Sequence, residues 1–172
     1  MDNENVEAKK LYFDYCCNTF FMLNNGDLDK YKKFRISKKQ EKLWRKEFIA
    51  DSVSRLDTND LSALKNLKDA GAIEALSEVI EQSDKGDGYA KLRYAEAIWS
   101  IADIPWYSKA VRKGARDTVI NIWISLIEKP FEITEEHKAE IGLYTNNHKA
   151  MTPEEFVVNY AKRELNKMMK KR

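Results

Sequence analysis

The segment 115–128 constrains the fold of this chain more than any other part of its sequence. Polar side chains occupy one narrow line along it, at spacings of four, four and three residues: Asp117, Asn121, Ser125 and Glu128. Except for Arg116 and Thr118 near its start, the other positions are apolar, among them Val119, Ile120, Ile122, Trp123, Ile124, Leu126 and Ile127. Such spacings are typical of an α-helix, and a helix with so little polar surface must be covered on nearly every side. The segment is therefore predicted to be the central helix.

The rest of the chain is also predicted to be helical. Its 172 residues include only six Gly and three Pro, and no hairpin dipeptide lies between alternating residues. We expect eight or nine helices, over residues 4–25, 37–56, 61–70, 72–82, 89–102, 105–114, 115–128, 134–144 and 152–170, with a polar loop over 27–36. The second helix is predicted to carry these apolar and aromatic side chains: Leu43, Trp44, Phe48, Ile49, Val53 and Leu56. The fold class is thus all-α.

A single domain over residues 1–172 is expected, because this length forms one ordinary core. It divides into N-terminal helices (1–57), a repeat-like core (58–128) and C-terminal capping helices (129–172). Within the core, a shift of 43 residues aligns Gly71 with Gly114, and with them these pairs: Ala72 with Ala115, Leu76 with Val119, and Val79 with Ile122. Helices separated by Gly recur in many all-α proteins, which is the alternative interpretation. The period nevertheless lies in the range of armadillo and HEAT repeats, about 40 to 47 residues.

The segments 69–76 and 94–102 carry the closest likeness to those repeats. The first, Asp-Ala-Gly-Ala-Ile-Glu-Ala-Leu, resembles the armadillo consensus around the Gly between its second and third helices. The second, with its Ala residues and Trp99, resembles the helix that follows. The resemblance covers roughly residues 60–128. It implies a helical-repeat array that presents an extended surface to protein or nucleic-acid partners.

Residues 30–46 form the most basic part of a chain whose formal net charge is only +2. They contain nine Lys and Arg against one Glu, with Tyr31 and Phe34 between them. Such a segment can contact phosphates while its aromatic rings stack on bases. The alternative is a solvated helix start with the two aromatic rings turned inward. The candidate binding residues, for nucleic acid or an acidic partner, are Lys32, Lys33, Arg35, Lys38, Lys39, Lys42, Arg45 and Lys46.

Catalytic patterns are missing from the sequence. The two histidines are His137 and His148, and the grouping of Glu136, His137 and Glu140 matches no common metal-ligand spacing, so these side chains are expected on the solvated surface. Adjacent Cys16 and Cys17 are expected to be reduced, buried and inert. No phosphate loop or dinucleotide fingerprint is present. We therefore predict no enzyme, no cofactor and no metal.

One enzyme class resembles this chain, the DNA alkylation-repair glycosylases. The chain is similar to them in size and helical character, and they use Trp, Asp and Arg in a concave groove. Two pairs would take those roles, Trp99 with Asp103 or Trp106 with Arg112, but neither lies in a motif of that family. Trp residues at helical spacing are more often part of a core.

A non-enzymatic module that binds a protein partner is the expected function, and a nucleic-acid-binding adaptor that uses residues 30–46 is the alternative. A cytoplasmic location is expected, since the N-terminus opens with acidic residues rather than a basic signal region. The most apolar stretch, residues 11–23, has thirteen residues and includes Asp14, too short and too polar for a bilayer span, so no membrane contact is expected.

Overall fold

The computed structural model describes residues 3–104, 107–145 and 151–170, and the described residues are all-α, without a strand. These ranges contain ten α-helices and one 3₁₀ turn, Ile73–Ala75. The helices are α1 (Asn3–Asp14), α2 (Thr19–Asn24), α3 (Leu28–Lys33), α4 (Lys38–Ser54), α5 (Ser62–Asp69), α6 (Leu76–Gln82), α7 (Gly88–Ala102), α8 (Lys109–Glu128), α9 (Glu135–Thr145) and α10 (Pro153–Lys170). None of these helices has the length and apolar character needed to cross a bilayer.

Helices α7 and α8 form the centre of the protein, and α8 includes the segment predicted to be central. Its buried residues are Ala115, Val119, Ile122, Trp123 and Leu126. Helix α7 packs against α8 and also against α5, α6 and α10, while α4 packs on α5. Because α7 is covered from several sides, ten of its fifteen residues are buried. The centre of the apolar core thus lies between α7 and α8.

Two predicted helix starts are confirmed by their hydrogen bonds. The Ser37 hydroxyl accepts from the Gln40 N–H at 3.2 Å and begins α4. The Thr152 hydroxyl accepts from the Glu155 N–H, and the Glu155 carboxylate accepts from the Thr152 N–H in return, at 3.2 and 2.9 Å. This reciprocal pair is the capping box that places Pro153 at the first position of α10.

The helix predicted over residues 4–25 is wrong, because the structure divides it into α1 and α2. Cys16 and Cys17 both have left-handed backbone conformations, with φ of 50° and 57°. The cause lies in Asn18, whose side chain accepts from the Phe20 N–H and donates to the Asp69 carbonyl, both at 3.0 Å. An Asn side chain that bonds the local backbone competes with helix continuation. The break lets residues of both helices reach the core.

The polar loop predicted over 27–36 contains helix α3 instead. Tyr31 is only 4% exposed and stacks on Tyr12 of α1, with ring centroids 5.6 Å apart. Burial of this one aromatic ring orders a short helix that the polar composition of the segment does not suggest.

The predicted boundary between residues 114 and 115 is also wrong. Helix α8 runs without interruption from Lys109 to Glu128, so Gly114 lies in its interior, whereas Gly71 follows α5 with a φ of +57°. A Gly inside a helix costs only about 1 kcal/mol relative to Ala, which tertiary packing readily offsets. The alignment of Gly71 with Gly114 therefore has no structural counterpart. The predicted start of the sixth helix, Pro105, lies outside the described residues.

Candidate interaction surface

The basic segment folds into the end of α3, a turn, and the first half of α4. Lys32 and Lys33 belong to α3, and Arg35 lies in the turn with a φ of +51°. The remaining candidates lie on α4, in the order Lys38, Lys39, Lys42, Arg45 and Lys46. The structure thus brings the predicted binding residues together on two consecutive helices.

One exposed line of side chains runs along the outer face of α4, and we call it the α4 stripe. It contains Lys39, Lys42, Leu43, Lys46 and Ala50, all of which are exposed. Their spacings of three, four, seven and eleven residues from Lys39 place them on one side of the helix. The opposite side is buried and contains Trp44, Phe48 and Ile49.

Leu43 is an apolar residue of α4 that points outward. Its residue exposure is 52%, whereas that of Trp44 is 2%. Adjacent helical residues point about 100° apart, so a helix that turns Trp44 and Phe48 into the core turns Leu43 outward. An apolar side chain therefore lies between the lysines of the α4 stripe.

Most cations of this surface have no acidic partner. Lys38, whose side chain is exposed, pairs with the largely buried Glu41 at 2.8 Å, and Lys32 forms an exposed pair with Asp29 at 3.7 Å, of the kind that contributes little. No carboxylate of the described residues lies within 4.0 Å of the side chains of Lys33, Arg35, Lys39, Lys42 or Lys46. Their positive charge is therefore available to a partner.

Arg45 differs from the other candidates because the fold itself uses its guanidinium. It donates to the carbonyls of Ala70 and Gly71, at 2.9 and 3.3 Å, and pairs with Glu74 at 3.1 Å. Ala70 and Gly71 follow the last residue of α5, where carbonyls lack intrahelical partners and a cation is favourable. The structure thus places Arg45 as a link between α4 and the end of α5.

All three aromatic residues of the basic segment, Tyr31, Phe34 and Trp44, face the interior. Tyr31 is buried, and its hydroxyl donates to the Glu41 carboxylate at 3.1 Å. Burial, followed by the charge of Glu41, raises the pKa of Tyr31. Phe34 is half-buried and packs against the core. None of these rings is presented to solvent in the way that stacking on a nucleic-acid base requires.

A second polar cluster, centred on Asp87, was not predicted from the sequence. The Asp87 carboxylate accepts from the Ala90 N–H at 2.9 Å, from the Thr134 N–H at 2.7 Å and from Nδ1 of His137 at 2.8 Å. Burial opposes ionisation of this group, but the hydrogen bonds from the two backbone amides and from His137 hold its pKa below the usual value. Asp87 therefore joins the start of α7 to the start of α9.

His137 was expected on the solvated surface, and that expectation is wrong, since it is only 1% exposed. Its ring lies 5.1 Å from that of Tyr89, and its Nε2 atom is buried without a hydrogen-bond partner among the described residues. Because it is enclosed, its contacts are those of a packing residue rather than of a general base open to substrate. His148 lies outside the described residues.

A polar cleft of about 410 Å³ lies between α5, α7 and α9. Its charged lining consists of Asp60, Lys65, Lys68, Arg93, Glu96, Glu136 and Glu140. Arg93 contacts Glu96 at 2.8 Å and Glu140 at 3.9 Å, and Glu140 also accepts from the Tyr89 hydroxyl at 2.7 Å. In the described parts of the chain, no three His, Cys, Asp or Glu side chains group as a metal site would need. The paired groups of this cleft connect α7 to α9.

The remaining catalytic candidates lie apart from any such grouping. Burial raises the pKa of Cys17 to about 12 and also raises that of Cys16, which disfavours the reactive thiolate. Trp99 packs against the core, and Asp103 is exposed at the end of α7. Trp106 lies outside the described residues.

Comparisons with known proteins find no match: no protein-family model fits the chain, and no curated protein or solved structure is significantly similar to it. The likeness to armadillo and HEAT repeats therefore has no support from a known protein.

Proposed function

We propose that this protein is a non-enzymatic interaction module that binds an acidic protein partner through the basic surface of α3, the following turn and α4. The observation that carries the proposal is the exposed Leu43 within the α4 stripe, flanked by Lys39, Lys42 and Lys46. Interfaces between proteins combine an apolar contact with complementary charge at its rim. The α4 stripe offers both on one helix.

The inward direction of the aromatic rings favours a protein over a nucleic acid. Without Tyr31 and Phe34, the surface has no ring available for base stacking. Its free cations are Arg35 and four lysines, and lysine is a hydrated point charge that recognises phosphate or base edges less specifically than arginine. Leu43 adds an apolar contact that a phosphate backbone would leave unused.

A nucleic-acid-binding adaptor is the second candidate, and the lack of acidic partners for five cations favours it. Such a surface binds any polyanion by releasing counterions. On our first proposal this affinity stays weak, on the order of 10⁻⁴ to 10⁻⁶ M at physiological salt.

The helical-repeat architecture and the cytoplasmic location are likewise proposals. The packing of successive helices, α4 on α5, α5 and α6 on α7, and α7 on α8, supports an array of the armadillo or HEAT type. Two buried free thiols, Cys16 and Cys17, support a reducing compartment.

The test replaces the three lysines of the α4 stripe by glutamine, in the triple variant Lys39→Gln, Lys42→Gln and Lys46→Gln. A control triple variant, Lys109→Gln, Lys113→Gln and Lys162→Gln, removes the same charge from exposed lysines elsewhere. Immobilised wild type, variant and control are incubated with nuclease-treated lysate, and the retained proteins are identified by mass spectrometry. We expect acidic proteins that wild type and control retain and the stripe variant loses.

Nucleic-acid affinity is measured in parallel by fluorescence anisotropy with labelled single- and double-stranded oligonucleotides. Retention that nuclease treatment abolishes, together with sub-micromolar oligonucleotide binding at physiological salt that the stripe variant loses, would replace the first proposal by the second. Identical retained proteins for all three samples would exclude the α4 stripe as the binding surface. Melting temperatures of the two variants should match, because none of the six lysines has an acidic partner among the described residues.

A further inference from the structure

The α4 stripe has the spacing of a surface that packs against another helix. Its members follow one another at three, one, three and four residues, so they form a continuous line of neighbouring positions. At a rise of 1.5 Å per residue, the distance from Lys39 to Ala50 is about 17 Å, or three helical turns. Ala50, at the far end, is small enough to let a second backbone approach closely.

The backbone of α4 restricts the kind of segment that can bind there. Its N–H and C=O groups are used within the helix, so a partner cannot gain backbone hydrogen bonds by adding a strand. An extended segment would leave its own backbone groups unpaired against Leu43. A helical segment brings its backbone already hydrogen-bonded and offers only side chains.

The charges along the α4 stripe indicate that the segment binding there is negatively charged. Lys39, Lys42 and Lys46 have no acidic partner among the described residues, whereas Glu47, on the neighbouring side of α4, already pairs with Lys9 at 2.5 Å. Carboxylates three or four residues apart on a helix lie about one turn from each other, which matches the spacing of these lysines.

We propose that the partner presents an acidic amphipathic α-helix that packs along the α4 stripe, with apolar residues on Leu43 and Ala50 and carboxylates opposite the three lysines. This inference rests on the proposed function and specifies the partner's binding segment. A contact of three turns is smaller than a standard protein interface, so the complex forms and dissociates readily and weakens with added salt.

The test uses two labelled peptides of about fifteen residues with identical composition. In the first, Glu and Leu recur at helical spacing so that both lie on one face; in the second, the same residues are scrambled. Binding is measured by fluorescence anisotropy with wild type, Leu43→Ser and the control Val111→Ser, which alters another exposed apolar residue. A single-stranded oligonucleotide serves as a probe of charge alone.

We expect the wild type and Val111→Ser to bind the amphipathic peptide roughly tenfold more tightly than the scrambled one. Leu43→Ser should lose this preference, while its oligonucleotide binding stays unchanged because no charge is altered. Circular dichroism of the mixture should show additional helix when the amphipathic peptide binds.

Equal affinity for both peptides, lost in the stripe lysine variant, would overturn the helical inference and leave the acidic-partner proposal standing. Failure of both peptides to bind, while the lysine variant still loses acidic proteins from lysate, would overturn only the helix. If both experiments fail, the proposed function fails as well. Self-association in analytical ultracentrifugation that Leu43→Ser abolishes would instead identify a second copy as the occupant and overturn the inference.

Discussion

Replacement of Asp87 by alanine should destabilise the protein by roughly 3 kcal/mol, most of it from contacts far apart in sequence. Loss of the cap on the Ala90 N–H costs about 1 kcal/mol. Loss of the charged hydrogen bond to His137 costs about 1.5 to 3 kcal/mol, because a ring only 1% exposed gains no water in exchange. The Thr134 N–H lies in an exposed residue, so water replaces that bond at little cost.

The assay is urea unfolding at neutral pH, followed by circular dichroism at 222 nm. Asp84→Ala, in the same loop but exposed, is the matched control and should change the free energy of unfolding by less than about 0.5 kcal/mol. Asp87→Asn keeps one oxygen for the helix cap, so its loss of unfolding free energy should lie between those of Asp84→Ala and Asp87→Ala. A loss of unfolding free energy below about 1 kcal/mol in Asp87→Ala, or equal losses in the two alanine variants, would refute the conclusion that Asp87 joins the start of α7 to the start of α9.

The pH dependence of this contribution has a defined sign. The folded protein holds the pKa of Asp87 below its ordinary value of 3.8. A depressed folded pKa stabilises the protein fully above the unfolded value, and this stabilisation is lost as pH falls through the folded value. The stability difference between wild type and Asp87→Asn should therefore be largest above about pH 5 and shrink at more acidic pH. A difference that grows on acidification would contradict the assigned hydrogen bonds.

Two other predictions concern the core. Trp123→Ala should lower the free energy of unfolding by roughly 3 to 5 kcal/mol, since Trp123 is 3% exposed within α8. Trp123→Phe should lower the free energy of unfolding much less. An unchanged melting temperature in the alanine variant would contradict the central position of α8. Cys16 and Cys17 should resist alkylation by iodoacetamide at pH 8 in the folded protein and both react in urea, as measured by mass spectrometry, because burial raises both thiol pKa values. Rapid labelling of the folded protein would show that the thiols are open to solvent.

The helical class and the central helix could be predicted because they follow from local spacing. A line of polar residues through an apolar segment indicates which face a helix buries, so the burial of Val119, Ile122 and Trp123 is evident from the sequence. The start of α8 at Lys109 and the 37% exposure of Ile124 are not. Helix starts at Ser37 and Thr152 were likewise predictable, because a cap involves residues only three positions apart.

Features that depend on contacts between distant residues could not be predicted in this way. Asn18 breaks the first helix partly through its bond to Asp69, and Asp87 meets His137 fifty positions further along the chain. The candidate surface was proposed from the sequence as a charged segment, but its composition left open which side chains face outward. That question was decided by Trp44, whose burial turns Leu43 into solvent.

The position of α10 affects how the chain can be shortened. In a simple linear array, a terminal unit touches only its neighbour and can be deleted with limited damage. Helix α10 instead returns to pack on both α7 and α8, where Val157 and Ala161 are fully buried. A truncated chain ending after α8 would expose the apolar surface that α10 covers, and exposed patches of this kind promote aggregation. The C-terminal helix is therefore an integral part of the folding unit, and a shortened chain for binding studies should keep it.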